Sequence, residues 1–332
     1  MLRRRNIAHL GAAYLIACQG ALPRVGFAQP AGKRRHIGFL YAGARPADGA
    51  APAPLRRALQ ALGYTEGTDI VYEGRWAESH NERLDRLAAE LVALKVDAIF
   101  TLGGLAAAAA RQASTSIPVV VAGAGDVVET GLVASLARPG GNVTGINDPA
   151  AVLSGKRLEI LKELVPSATR VAVLWNAGDP AMTLRYRHIE QAARLLRVRV
   201  VPLGVREPDD FDAALAAMGR ERPDALMMVT DSLTTLNRQR VLDYATAQRI
   251  PAMYELANVP HAGGLVSYGS DFGETFQLAA AYLDKILKGA HPRDLPVEQQ
   301  NRFYLVINMK AAKALGLAIP PSLLLRADEV IE

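Results

Sequence analysis

A pattern that occurs twice constrains the fold of this chain more than any single residue does. Short apolar runs alternate with longer amphipathic stretches from His36 onward, and the alternation begins again at Arg170. Phe39-Leu40-Tyr41-Ala42-Gly43-Ala44-Arg45-Pro46 is matched by Val173-Leu174-Trp175-Asn176-Ala177-Gly178-Asp179-Pro180. Asp97-Ala98-Ile99-Phe100 is matched by Asp224-Ala225-Leu226-Met227, and Ile117-Pro118-Val119 by Ile250-Pro251-Ala252, in the same order. Each match falls at the start of an expected strand or at its exit loop. Parallel strands joined by helices of this length form right-handed βαβ units. The repeated order therefore predicts an α/β protein of two Rossmann-like lobes with parallel sheets.

Glycine-rich segments mark where the chain is expected to pass between lobes. The stretch 117–145 opens on Val119-Val120-Val121, turns through Gly123-Ala124-Gly125-Asp126 and ends on Pro139-Gly140-Gly141-Asn142 before the second series. A buried strand, its exit loop and a crossing are written this way. A second crossing is expected at Gly263-Gly264 and a third near Pro296, which makes Gly140, Gly141, Gly263 and Gly264 the hinge candidates. Lobe 1 is then expected over 33–143 plus about 266–297, and lobe 2 over 146–263 plus about 298–332. Helices are expected over about 54–62, 81–94, 154–164 and 272–287; in the second, Leu84, Leu87, Leu91 and Leu94 recur at helical spacing.

The basic balance of the chain belongs to its first residues. The 332 residues carry a formal charge of +5, yet Arg3, Arg4, Arg5 and Arg24 stand in the first 28, where no acid occurs. The remainder has 34 basic against 33 acidic residues, a net of +1, so no nucleic-acid partner is expected. A cationic start, a weakly apolar run over 7–17 and small residues ending at Ala28 are the parts of an export signal over residues 1–28, too short for a membrane span. Arg4-Arg5 loosely matches a twin-arginine signal. Cys18, the only cysteine, is either a lipid-anchored first residue or part of a discarded segment. Both alternatives export the protein to the periplasm, and cleavage at Ala28 leaves neither a disulfide nor a thiolate.

In doubly wound sheets, ligands sit beyond the carboxyl ends of the strands. Five such exits, over 42–45, 102–105, 123–126, 176–179 and 230–232, carry small or polar residues that two facing lobes would turn toward one cleft. The ligand-binding candidates are Tyr41, Ala44, Gly103, Gly104, Asp126, Trp175, Asn176, Asp179, Thr230, Asp231, Ser232 and Tyr254. Gly103-Gly104 either presents free helix N–H groups to a carboxylate or makes a tight turn. Asp126 and Asp231 each meet a ligand ammonium group or cap the following helix; ligand contact is favoured for Asp126. Tyr41 and Trp175 sandwich an apolar ligand or belong to the core.

No enzymatic constellation stands out. The six histidines are scattered without metal-ligand spacing, Ser154 and Ser267 lack a nucleophile-elbow context, and neither a Walker lysine nor a dinucleotide fingerprint occurs. Binding without catalysis, cofactor or metal is the expectation.

Several segments carry a family resemblance. Gly125-Asp126-Val127-Val128, Gly131-Leu132-Val133-Ala134-Ser135-Leu136, Arg138-Pro139-Gly140-Gly141-Asn142-Val143-Thr144-Gly145 and Ala262-Gly263-Gly264-Leu265-Val266-Ser267-Tyr268-Gly269 resemble the ABC-transporter substrate-binding family related to tryptophan- and tyrosine-binding transport proteins. So do Lys156-Arg157-Leu158-Glu159, Lys285-Ile286-Leu287-Lys288-Gly289, the closing run Asn308-Met309-Lys310-Ala311-Ala312-Lys313-Ala314-Leu315-Gly316-Leu317 and Ala327-Asp328-Glu329-Val330-Ile331. The resemblance implies a type I periplasmic binding fold that closes on a small solute, an amino acid of the aromatic or another class. It also implies delivery to an ABC permease driven by a separate ATPase. Gly125-Asp126-Val127 departs from the Gly-Asp-Pro of many members, and Trp175-Asn176-Ala177-Gly178-Asp179-Pro180 replaces an asparagine-rich turn, so a different pocket chemistry is expected. The expected function is that of a monomeric solute-binding component of an ABC importer. The alternatives are a ligand-sensing periplasmic subunit that reports to a membrane receptor or kinase, and an exported α/β hydrolase.

Overall fold

Two sheets organise the computed structural model, which describes residues 34–332. The expected export signal over residues 1–28 and Cys18 lie outside the described residues. The first series supplies β1 (Arg35–Tyr41), β2 (Ile70–Trp76), β3 (Ala98–Leu102), β4 (Val119–Ala122) and β5 (Val143–Asn147). The second supplies β6 (Arg170–Asn176), β7 (Arg199–Val205), β8 (Ala225–Met228), β9 (Ala252–Tyr254) and β10 (Val266–Ser270). Three short strands follow: β11 (Glu298–Gln299), β12 (Phe303–Asn308) and β13 (Glu329–Ile331).

The strand orders are β11-β5-β4-β3-β1-β2 and β13-β12-β10-β9-β8-β6-β7. The five central strands of each lobe are thus wound identically, as the duplicated sequence requires. Every pair is parallel except β10 with β12. β4 is buried along its whole length, which is why its sequence is continuously apolar rather than alternating.

The helices divide between the lobes by their apolar faces. Leu84–Ala93 buries Leu84, Leu87, Ala88 and Leu91, a single stripe at 3.6-residue spacing. The helix Phe272–Leu287 begins where Asp271 accepts a hydrogen bond from Gly273 N at 2.7 Å. It packs Phe276, Ala279, Ala280, Leu283, Ile286 and Leu287 into the core that holds Ile37, Phe39 and Phe100 of lobe 1. The helix Ala150–Leu164 packs Leu158, Leu161 and Leu164 into the lobe 2 core.

These assignments move the crossings. β5 still pairs with β4 in the first sheet, so the chain leaves lobe 1 at Asp148-Pro149, not at Gly140-Gly141, which lie before β5. β10 pairs with β9, so Gly263-Gly264 is a turn within lobe 2. The second crossing is Ser270-Asp271, and residues 266–270 belong to lobe 2 rather than lobe 1. β11 pairs with β5, which puts the third crossing at 300–302 and leaves residues 298–299 with lobe 1. Gly264 is required for another reason: a Cβ there would lie 2.9 Å from the Tyr254 ring and 3.0 Å from Val259 O.

The true crossings are tied to one another. Ser270 Oγ donates to Asp148 Oδ1 at 3.2 Å, and Gln300 N donates to Asn147 O at 3.1 Å. The buried Gln300 side chain donates from Nε2 to Asp271 O at 3.3 Å and to Thr275 Oγ1 at 2.5 Å.

Candidate functional site

The exit loops of β1 and β3 in lobe 1 face those of β6 and β8 in lobe 2 across a cavity of about 130 Å³. These are the strands at which the order of each sheet reverses, where a doubly wound sheet opens a crevice. Tyr41, Gly103 and Gly104 contribute from lobe 1, and Asp179, Thr230, Asp231 and Ser232 from lobe 2.

Gly103 adopts φ 85° and starts the helix Gly104–Ala113 with no side-chain cap, so its first N–H groups carry partial positive charge toward the cavity. Opposite stand two carboxylates. Asp179 is buried and its Oδ1 accepts from Ala181 N at 2.8 Å at the start of the helix Pro180–Leu195. Asp231 is half-buried; Oδ1 accepts from Thr234 N at 2.8 Å and Oδ2 from Asn176 Nδ2 at 2.5 Å. Burial first and the charge of Asp231 second push the Asp179 carboxyl up to about 6. Burial also raises Asp231. Thr230 Oγ1 beside the cavity is buried without a hydrogen-bond partner, an unsatisfied polar group at the site. Burial raises the Tyr41 hydroxyl above its ordinary range.

Five candidates lie elsewhere. Trp175 stacks on Tyr186 at 3.8 Å with an interplanar angle of 10° and sits in the lobe 2 core, so no Tyr41–Trp175 sandwich forms. Tyr254 is buried in the other lobe 2 core. Asn176 is buried and acts on the cavity only through its bond to Asp231. Ala44 is exposed beyond the cavity rim. Asp126 does not reach the solute space: its Oδ2 accepts from Ala151 N at 3.3 Å, which is the capping alternative.

Sequence reasoning missed Asn81, Met182, Thr235, Leu256 and Phe272, which also line the cavity. Met182 and Thr235 lie one turn beyond Asp179 and Asp231, and helical spacing from those two residues points to them. Phe272 follows the second crossing directly, so the misplaced crossing concealed it.

One turn beyond Met182, Arg185 enters a buried ionic cluster. Its Nη1 donates to Glu255 Oε2 at 2.8 Å, and its Nη2 lies 3.6 Å from Asp148 Oδ2 at the first crossing. Arg157 pairs with Glu255 Oε1 at 3.0 Å and donates to Tyr268 O at 2.7 Å. Gly125 is required here, because a Cβ would lie 2.7 Å from Arg185 Nη2. The one cation in this cluster whose charge reaches both Asp179 and Asp126 is thus already engaged with other carboxylates. Among the described residues no group of three or more His, Cys, Asp or Glu is placed to hold a metal ion, and no helix is long and apolar enough to cross a membrane.

Two identically wound lobes, three tied crossings and an interlobe cavity define a bilobed α/β protein of the type I periplasmic binding fold. Residues 45–331 match the family model of ABC transporter substrate binding proteins, and the chain belongs to that family. It is 27% identical over 285 residues to a tyrosine-binding protein of Clostridioides difficile (strain R20291), covering 86% of this chain and 82% of that one. An ABC domain from Streptococcus pneumonia in complex with L-Trp superposes with a TM-score of 0.81 at 24% identity, over 90% of this chain and 100% of the other. The ligand-free, open structure of a substrate-binding protein with adhesive properties from Clostridium difficile gives 0.62 at 25% identity, over 90% of this chain and 99% of the other.

Proposed function

We infer that this protein captures a free amino acid with a large apolar or aromatic side chain, and delivers it to an ABC permease as an exported, monomeric importer component. The observation that carries this assignment is the charge arrangement of the cavity. Asp179 and Asp231 share one wall and repel each other, while the uncapped start of Gly104–Ala113 occupies the other. A zwitterion satisfies both: its ammonium group relieves the two carboxylates, and its carboxylate meets the helix N–H groups. Tyr41, Leu102, Met182 and Phe272 supply apolar surface for the side chain.

Two likenesses support the solute class and the conformation. The sequence relative is a tyrosine-binding protein, and the chain superposes on an ABC domain in complex with L-Trp. At equal coverage of this chain the L-Trp complex superposes better than the open form, in keeping with lobes drawn together as for a bound solute. Closure on a solute is what a permease distinguishes from the empty protein.

The test is a thermal-shift screen, followed by calorimetric titration, of protein refolded to strip bound solute. L-Tyrosine, L-tryptophan, L-phenylalanine and L-leucine are compared with aromatic acids that lack the ammonium group. A solute at a hundredfold excess over Kd stabilises by about 2.7 kcal/mol. The expected outcome is a shift with amino acids and none with the deaminated acids; equal shifts with both would remove the carboxylates from ammonium recognition.

A further inference from the structure

A second space adjoins the solute cavity. It is a groove of about 780 Å³ whose lining includes Ser270 and Asp271 of the second crossing, Asn258 and Tyr304. Leu256 and Phe272 line both spaces, so these two side chains form the wall between them. We propose that Phe272, backed by Leu256, is the specificity-determining partition that confines the protein to single amino acids and excludes solutes extended by a further residue.

The partition is built to hold its position. The Phe272 ring contacts Phe276 with centroids 6.4 Å apart, Phe276 contacts Phe100 at 6.1 Å, and Phe100 stacks on Phe39 at 5.8 Å. Phe39 in turn meets Tyr41 at 6.1 Å. The aromatic rings at two sides of the cavity, Tyr41 and Phe272, are therefore the ends of one packed row through lobe 1. From the lobe 1 loop, Gly123 lies beside Phe272: a Cβ there would be 3.7 Å from the ring, an ordinary van der Waals contact. Phe272 itself remains 38% exposed, since it faces open space on both sides. A ring in this position excludes by shape, because bulk forced into a packed site displaces side chains from their rotamers and shifts the backbone.

This inference rests on the proposed amino-acid function, and the experiment separates the two. Stripped wild-type protein, Phe272→Ala and Leu256→Ala are titrated with L-tyrosine, L-tryptophan, glycyl-L-tyrosine and L-tyrosyl-glycine, with melting temperature and circular dichroism as checks on folding. Wild type is expected to prefer the free amino acid over either dipeptide by about a hundredfold or more. Phe272→Ala is expected to weaken the free amino acid about tenfold and to reduce the preference over at least one dipeptide to below about tenfold. Leu256→Ala opens the same wall from lobe 2 and decides the question if Phe272→Ala does not fold. A folded variant whose preference for the free amino acid equals that of wild type overturns the partition and leaves the amino-acid function intact. Wild type that binds none of the free amino acids overturns both.

Discussion

At Asp179, burial and the neighbouring Asp231 charge lift the carboxyl from 3.8 to about 6. The folded state of the empty protein therefore holds this proton more tightly than the unfolded chain does. The stability that the protonated form contributes is present below about pH 4 and is lost as pH rises through about 6. Binding has the opposite slope, because an ammonium group pairs with the ionised carboxylate. Affinity for an amino acid is expected to fall about tenfold between pH 7.5 and pH 5. Asp179→Asn should flatten both dependences, raise the neutral-pH stability of the empty protein by roughly 2 kcal/mol, and weaken amino-acid binding at pH 7.5. Urea unfolding and titration calorimetry across this range check it; an unchanged pH profile of affinity in Asp179→Asn would place the ammonium elsewhere. Asp179 was legible in the sequence because Gly178-Asp179-Pro180 repeats the strand-exit position of Ala44-Arg45-Pro46. Asp126 was misread because a strand-exit aspartate looks the same whether it faces a solute or the next helix start, and only the approach of Ala151 N separates the two.

At the scale of the element, β5 explains the most family-like motif of the chain. In Pro139-Gly140-Gly141-Asn142-Val143-Thr144-Gly145, the Gly140-Gly141 pair suggests flexibility, but Gly145 carries the packing constraint. It has φ 140°, and a Cβ would stand 2.1 Å from Val121 O of the paired strand β4. Gly145→Ala is expected to destabilise by about 3 kcal/mol or more, since neither the backbone region nor the space suits a side chain. Gly141, with nothing within 4 Å of its would-be Cβ, should accept alanine with a change below about 0.5 kcal/mol. Chemical denaturation of the two variants checks the contrast; equal effects would contradict this account of the motif. Strand identity and order were legible here, because apolar runs bounded by turn residues identify buried parallel strands. Which glycine mattered was not, because the approach of β4 to β5 is a contact between backbones.

In the whole molecule, the proposed closure on a solute turns about the crossings at Asp148-Pro149, Ser270-Asp271 and 300–302. Gln300 links the third crossing to the second and, through Asn147, to the first. Gln300→Ala removes side-chain contacts within this bundle without altering any residue that lines the cavity. It is expected to favour the open form, enlarge the empty protein in small-angle scattering and weaken solute binding by about threefold to tenfold, whereas Gly141→Ala changes neither. The reverse pattern would return the hinge to Gly140-Gly141. The sequence by itself determined two similarly wound α/β lobes and the strand exits that carry Tyr41, Gly103, Gly104, Asp179 and Thr230–Ser232, because periodicity and turn chemistry are local and were written twice. Only the tertiary structure decided where the chain crosses, that Trp175 and Tyr254 are core, and that Met182, Leu256 and Phe272 line the cavity. Those outcomes depend on which face of a strand or helix meets a partner distant in sequence, and no local pattern encodes that meeting.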